Sequence, residues 1–193
     1  MIANPDHLYI SPKDYLEGER ISSIKHEYRR GKVWAMAGGT QVHNIVTGNI
    51  FARLRSHLRG SSCRAFVENM KVRLETTDAY YYPDVVVTCD DRDRNPNVDF
   101  IRYPSLIVEV LSPATAAFDR GAKFADYRTI DTLREYVLVS CDRRQIECYR
   151  RKDGDRWELQ RYETDGAIAF ESINLSANMA EVYEDVELVS KVN

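Results

Sequence analysis

The chain has 193 residues, 44% hydrophobic and 30% charged, with a mean hydropathy of -0.47 and a formal charge of -3. Those figures suit a globular chain and exclude disorder, collagen and coiled coil; a chain this long buries about 70% of its unfolded surface without disulfides or a structural metal. The longest aliphatic stretch, residues 106–111, is broken by Glu109 and is far short of the roughly 20 residues that cross a bilayer, so no membrane partner is expected.

In chain order, Ser11 before Pro12 is an N-cap with proline at the first helical position, and predicts a short helix. Residues 25–28 and 32–36 flank Arg29-Arg30-Gly31 and predict two strands joined by a tight turn. Thr40 caps a long helix in which Val42, Ile45, Val46, Ile50, Leu54 and Leu58 keep the three-and-four spacing of one face, ended by Gly60-Ser61-Ser62. Strands follow over 63–67, 70–74 and 84–88, then a polar loop over 90–97 and a central strand over 106–111, opened by Pro104 and closed by Ser112-Pro113. Asp119 begins a helix over 120–130, and a buried strand runs over 136–140. An antiparallel pair over 145–150 and 157–162 surrounds the Asp153-Gly154 turn, and a last short helix covers 178–185. The expectation is one α/β domain over residues 1–193, a mixed β-sheet flanked by helices.

Charge is unevenly placed. Residues 163–193 carry seven acidic groups and one basic, a net -6, which leaves residues 1–162 at +3. A mildly basic body binds nucleic acid through a local patch, since charges are screened beyond about 8 Å in physiological salt. The groups placed for such contact are Arg53, Arg55 and Arg59, then Arg92, Arg94 and Arg102, then Arg143, Arg144, Arg150, Arg151 and Lys152. Tyr149, Trp157 and Tyr162 beside the last cluster offer stacking faces or, more commonly, a packed sheet surface. Cys63, Cys89, Cys141 and Cys148 form no C-x-x-C pair and are optional to folding, and the opening MIANPDHLYI lacks the regions of a signal peptide. A reducing, cytoplasmic setting is therefore the expectation.

Two acidic residues stand in costly places: Asp84 after Pro83 at the mouth of a valine strand, and Glu109 inside an aliphatic one. An ionised carboxylate in an apolar sheet has to be paired, protonated or bound to a cation. The plain alternatives are an ion pair with an arginine for Glu109 and a strand-end cap for Asp84. No pair among His7, His26, His43 and His57 has zinc-site spacing with a cysteine, and Gly38-Gly39 lacks a following Lys-Ser/Thr, so zinc and nucleotide hydrolysis are not expected. His43 borders the apolar face of its helix, where a structural role is usual, and strand-end solvation explains Glu68.

Joined together, residues 82–87, 106–115, 119–127 and 135–139, with 26–36 and His43 before them, resemble the Uma-type family of restriction endonucleases, within the PD-(D/E)XK nuclease superfamily. The resemblance runs from about Tyr9 to Val189. It implies a restriction endonuclease-like fold, hydrolysis of DNA phosphodiesters and a Mg²⁺ or Mn²⁺ ion held by Asp84 and Glu109. It also implies Lys123 as the electrostatic partner and Glu27 as an auxiliary acidic group. The chain departs from the superfamily at residue 111, on the same side of the strand as Glu109, where a lysine is expected and Leu111 stands; Lys123 on the next helix looks like its replacement. A symmetric homodimer is the implied assembly. The alternative is a nucleic-acid- or protein-binding module that keeps the nuclease fold and no longer cuts.

Overall fold

The computed structural model describes residues 9–36 and 38–188. Helix α1 (Pro12–Ile21) starts where the Ser11 hydroxyl accepts the Asp14 N–H, and leads into the hairpin of β1 (His26–Arg29) and β2 (Lys32–Ala35). Its two turn residues, Arg30 and Gly31, both have positive φ, 49° and 78°, the backbone twist that a two-residue hairpin needs. Helix α2 (Gln41–His57) is capped by Thr40, whose hydroxyl accepts the His43 N–H, and buries Val46, Ile50 and Leu54.

There follow β3 (Arg64–Val67), β4 (Lys71–Leu74), β5 (Ala79–Tyr81), β6 (Val85–Thr88), β7 (Phe100–Ile101) and the eight-residue β8 (Pro104–Leu111). A broken helix comes next: α3 (Ala116–Phe118), a π-helical turn over Asp119–Lys123, and α4 (Phe124–Tyr127). The chain ends with β9 (Glu135–Ser140), β10 (Ile146–Arg151), β11 (Trp157–Tyr162), β12 (Ala167–Phe170), β13 (Leu175–Asn178) and α5 (Met179–Val182).

These strands form three sheets rather than one. The central sheet is mixed, in the order β11-β10-β9-β8-β6-β3, with β8 and β9 parallel and joined by the broken helix. A second sheet runs β2-β1-β5-β4-β7, and β12 pairs with β13 alone. Alternation along the central strands sorts two cores. Val85, Val87, Leu106, Val108, Val110, Val137 and Val139 pack against α2 and the β12–β13 hairpin. Val86, Ile107, Leu111, Tyr136 and Leu138 pack against Val72, Leu74, Tyr81 and Ile101 of the second sheet and against Phe124 and Tyr127 of α4. Glu109 therefore lies between the two sheets, flanked along its strand by Ile107 and Leu111.

The structure departs from sequence expectation in four places. The strands β5, β7, β12 and β13 have two to four residues each, too short to show a period. The helix expected over 120–130 begins four residues earlier, is interrupted by the π turn and ends at Tyr127. The loop expected over 90–97 holds a 3₁₀ turn at Asp91–Arg94, capped by the Asp90 carboxylate. Cys63 and Cys89, expected to be dispensable thiols, are joined in a disulfide, because the β3–β6 register that pairs Arg64 with Thr88 sets their Cα atoms 3.9 Å apart. Among the described residues no helix is long and apolar enough to cross a membrane.

Candidate active site

Three elements deliver four charged side chains to one buried place between the sheets. From β1 comes Glu27, from β8 Glu109, and from the π turn Asp119 and Lys123, all 3–5% exposed. Lys123 Nζ lies 2.9 Å from Glu109 Oε1 and 3.0 Å from Glu27 Oε1, with Asp119 Oδ1 at 3.8 Å. Asp119 and Lys123 stand four apart, so a helical turn stacks them on one face. The Tyr127 hydroxyl donates to Glu109 Oε1 at 3.2 Å, and the Tyr82 backbone N–H donates to Glu27 Oε1 at 3.2 Å. The ring of Tyr81 lies beneath the ammonium, 5.4 Å from its centroid.

Asp84 joins this cluster from the start of β6. Its Oδ2 accepts the backbone N–H of Val110, the residue after Glu109, at 2.6 Å, and its Oδ1 lies 3.3 Å from His43 Nε2. The cap role weighed for Asp84 is thus real in part, since one carboxylate oxygen ties β6 to β8. Glu68, at a positive φ of 52°, donates its backbone N–H to the Asp84 carbonyl, and its charge acts on His43.

The electrostatics are those of one buried ammonium facing an excess of carboxylates. Burial pushes the Glu109 carboxyl well above the usual carboxylate range; Lys123 opposes this, while Asp119, Asp84 and Glu27 add to it. Asp119 is raised by burial in the same way. Burial disfavours the Lys123 ammonium, but Glu109, Glu27 and Asp119 outweigh that and hold it charged, well above the ordinary lysine value. His43 is raised by its hydrogen bond to Asp84, against its own burial.

Of the four sequence-derived site residues, Glu27, Glu109 and Lys123 are in direct contact and Asp84 is bound to the strand that carries Glu109. The partner of Glu109 is Lys123, not the arginine of the plain alternative. Leu111 is 5% exposed and packs in the apolar core, so the ammonium enters from the helical segment rather than from the strand. Asp119, His43 and Tyr127 complete the cluster beyond the sequence reading. The Asp119/Lys123 spacing was a legible signal and His43 already belonged to the family pattern, though with a structural role as the usual outcome; Tyr127 carried no signal that distinguished it from core residues.

A divalent ion was tested against these groups. Among the described residues no three His, Cys, Asp or Glu side chains are arranged to hold a metal ion. Mg²⁺, however, needs only one or two carboxylates, with water and substrate oxygens filling its shell. The hard oxygens of Asp84 and Glu109 fit Mg²⁺ or Mn²⁺ by donor chemistry, without a closed protein cage.

Two of the five late basic residues, expected to be placed for nucleic-acid contact, are instead taken up inside the fold. Arg150 is 5% exposed and bound to Glu135 at 2.8 Å, and Arg151 donates to the backbone carbonyls of Arg128 and Ile130, so both are structural. Tyr149 and Trp157 pack on Phe124, and the Tyr162 hydroxyl accepts from the Arg150 guanidinium and the Ala169 N–H, which makes this hairpin a packed surface.

The chain is similar to known proteins along most of its length. Residues 12–180 match the Uma2 family, described as "Putative restriction endonuclease". Two proteins of Synechocystis, both described as uncharacterized, are similar along most of their length. One, slr1290, is 38% identical over 174 residues, 90% of this chain and 91% of that protein. The other, sll1609, is 32% identical over 151 residues, 78% and 85% respectively. Among solved structures, one titled as a "putative nuclease belonging to DUF820" from Anabaena variabilis superposes with a TM-score of 0.70 at 17% identity, covering 83% of this chain and 90% of that one. That likeness shows a shared mixed α/β fold. By the family match and its relatives, this chain belongs to the Uma2 family.

Proposed function

We propose that the chain is a metal-dependent endonuclease that hydrolyses DNA phosphodiester bonds. The observation that carries this reading is the sharing of one buried ammonium, Lys123, between Glu109 and Glu27 beside Asp84, in a family described as restriction endonucleases. Asp84 and Glu109 are the residues that would hold Mg²⁺ or Mn²⁺. The ion, when bound, supplies charge neutralisation at the phosphate.

The chain's own residues do the rest. An ammonium has three N–H donors; Glu109 and Glu27 take two, and the third is left for a phosphate oxygen or the attacking water. Glu27, itself fixed by the Tyr82 N–H, keeps Lys123 turned toward Glu109. The neutral hydroxyl of Tyr127 orients the Glu109 carboxylate. The whole chain acts as one unit, and a symmetric homodimer would address the two strands of a duplex.

The test is nicking of supercoiled plasmid in EDTA, Mg²⁺ and Mn²⁺, with Glu109→Ala purified identically. Nicking that needs metal and disappears in the variant supports the reading. No cleavage with any metal, or equal cleavage by the variant, overturns it and leaves the non-cutting binding module, for which Leu111 in place of lysine is the supporting observation.

A further inference from the structure

The β1–β2 hairpin presents a feature that hydrolysis does not use. Glu27 is paired with Trp34 across the hairpin, and Arg29 with Lys32; residues directly opposite in an antiparallel pair share a face. Glu27 and Arg29 reach inward, to Lys123 and to Asp126. Trp34 and Lys32 stay on the edge strand β2, where they border a recess of about 310 Å³ lined by Arg29, Arg30, Lys32, Trp34 and Phe118. That volume lies at the small end of the roughly 300–1,000 Å³ typical of ligand pockets.

Ring contacts link the wall of the recess to the acidic site. Trp34 meets Phe118 edge to face at 6.2 Å between centroids, Phe118 meets Tyr81 at 6.0 Å, and Lys123 lies over Tyr81. Trp34 and Phe118 are both partly exposed, and Phe118 directly precedes Asp119. The charges differ from those around the polar loop. Arg92 and Arg102, around the polar loop, are each tied to a carboxylate, Asp90 and Glu75. Arg30 and Lys32 are exposed and have no acidic partner among the described residues.

We propose that this recess is a nucleotide subsite for single-stranded DNA: an unpaired base stacks on Trp34, and Arg30 and Lys32 hold the phosphates on either side of it. Aromatic stacking combined with unneutralised cations is how strands are bound without sequence readout. A base inside a duplex has both faces covered by its neighbours and offers none to Trp34. The subsite rests on the nuclease reading only for what happens at the phosphodiester delivered to Lys123; the binding itself does not require cleavage.

The experiment uses Trp157→Phe protein, which leaves Trp34 as the sole one of the two tryptophans, titrated with a short oligothymidylate in EDTA. Trp34 emission is expected to quench saturably, and a self-complementary hairpin duplex to leave it unchanged. In labelled-oligothymidylate anisotropy, Trp34→Ala should weaken binding on the order of tenfold or more, and Trp34→Phe should retain most of it. The exposed Lys32→Glu, which does not touch the core, should weaken binding and lower the salt slope by about one. Absence of quenching, or oligothymidylate binding by Trp34→Ala and Lys32→Glu equal to that of the parent, overturns the subsite. Either result in a protein that still nicks plasmid removes the subsite and keeps the nuclease; Trp34-dependent binding by a protein that nicks nothing does the reverse.

Discussion

Lys123 is the residue on which the site's charge balance turns. Among the described residues its ammonium is the one cation within ion-pair distance of Glu27, Glu109 and Asp119, and a buried carboxylate left without its cation costs several kcal/mol. Lys123→Met keeps the side chain's length and removes the charge, so it should lower the unfolding free energy by about 3–5 kcal/mol. Glu109→Gln should cost far less, because Lys123 keeps Glu27 and one of several repelling carboxylates is gone. Urea denaturation of the two variants decides this, and equal stability of Lys123→Met and the parent would mean the cluster does not hold the fold. His43 gives a pH signature of its own. Its pKa is raised above 6.5 by the bond to Asp84, so its contribution is fully present below about pH 6.5, the unfolded value, and is lost as pH rises through the folded one. The stability difference between parent and His43→Gln should therefore shrink with rising pH in metal-free buffer; a difference that grows would reverse the assignment. The sequence made Asp84 and Glu109 legible because each is costly or misplaced by local rules, and Lys123 only through the family resemblance. It left His43 and Asp119 without a role in the site, because one also suits a helix face and the other a helix start.

Among the elements, the β1–β2 hairpin and the π turn do the positioning. The hairpin carries Glu27 and, opposite it on the edge strand, Trp34 on one face, and its register depends on Gly31, whose φ of 78° is left-handed and whose added Cβ would run into the ring of Tyr9. Gly31→Ala should destabilise by about 1–3 kcal/mol through backbone strain, with the Tyr9 collision in addition. Thermal denaturation reads the loss, and a fall in plasmid nicking beyond the loss of folded protein would show that Glu27 had moved with the turn. The π turn brings Asp119 and Lys123 to the same strand end as Glu109; π segments interrupt helices often at functional sites. Hydrophobic period exposed α2, β8 and β9 in the sequence, since each is long enough to show it. It could not expose β5, which is held between β1 and β4, or β7, which pairs with β4, nor the π turn, whose residues also suit an ordinary helix.

Across the whole molecule, β6 links two features of opposite kind: Asp84 enters at one end and Cys89 leaves at the other. Five residues of extended strand separate them by about 16 Å. The Cys63–Cys89 bond closes a loop with a sequence separation of 26, for which chain-entropy arguments give about 3–4 kcal/mol from restricting the unfolded chain. The loop contains Glu68 and Asp84, but Glu27, Glu109 and Lys123 are brought together by β1, β8 and the π turn, all outside it. Reduction should therefore act on stability and not on the site. Replacing both cysteines by serine should lower the unfolding free energy by up to about 3 kcal/mol, and dithiothreitol should bring the parent to the same value. Metal-dependent nicking per folded molecule should stay at the parent level, because β6 is still held by β3 and β8 and Asp84 still accepts the Val110 N–H. Nicking that falls further than the folded fraction, measured at a temperature where both proteins are folded, would mean instead that the bond sets the position of Asp84 through the length of β6.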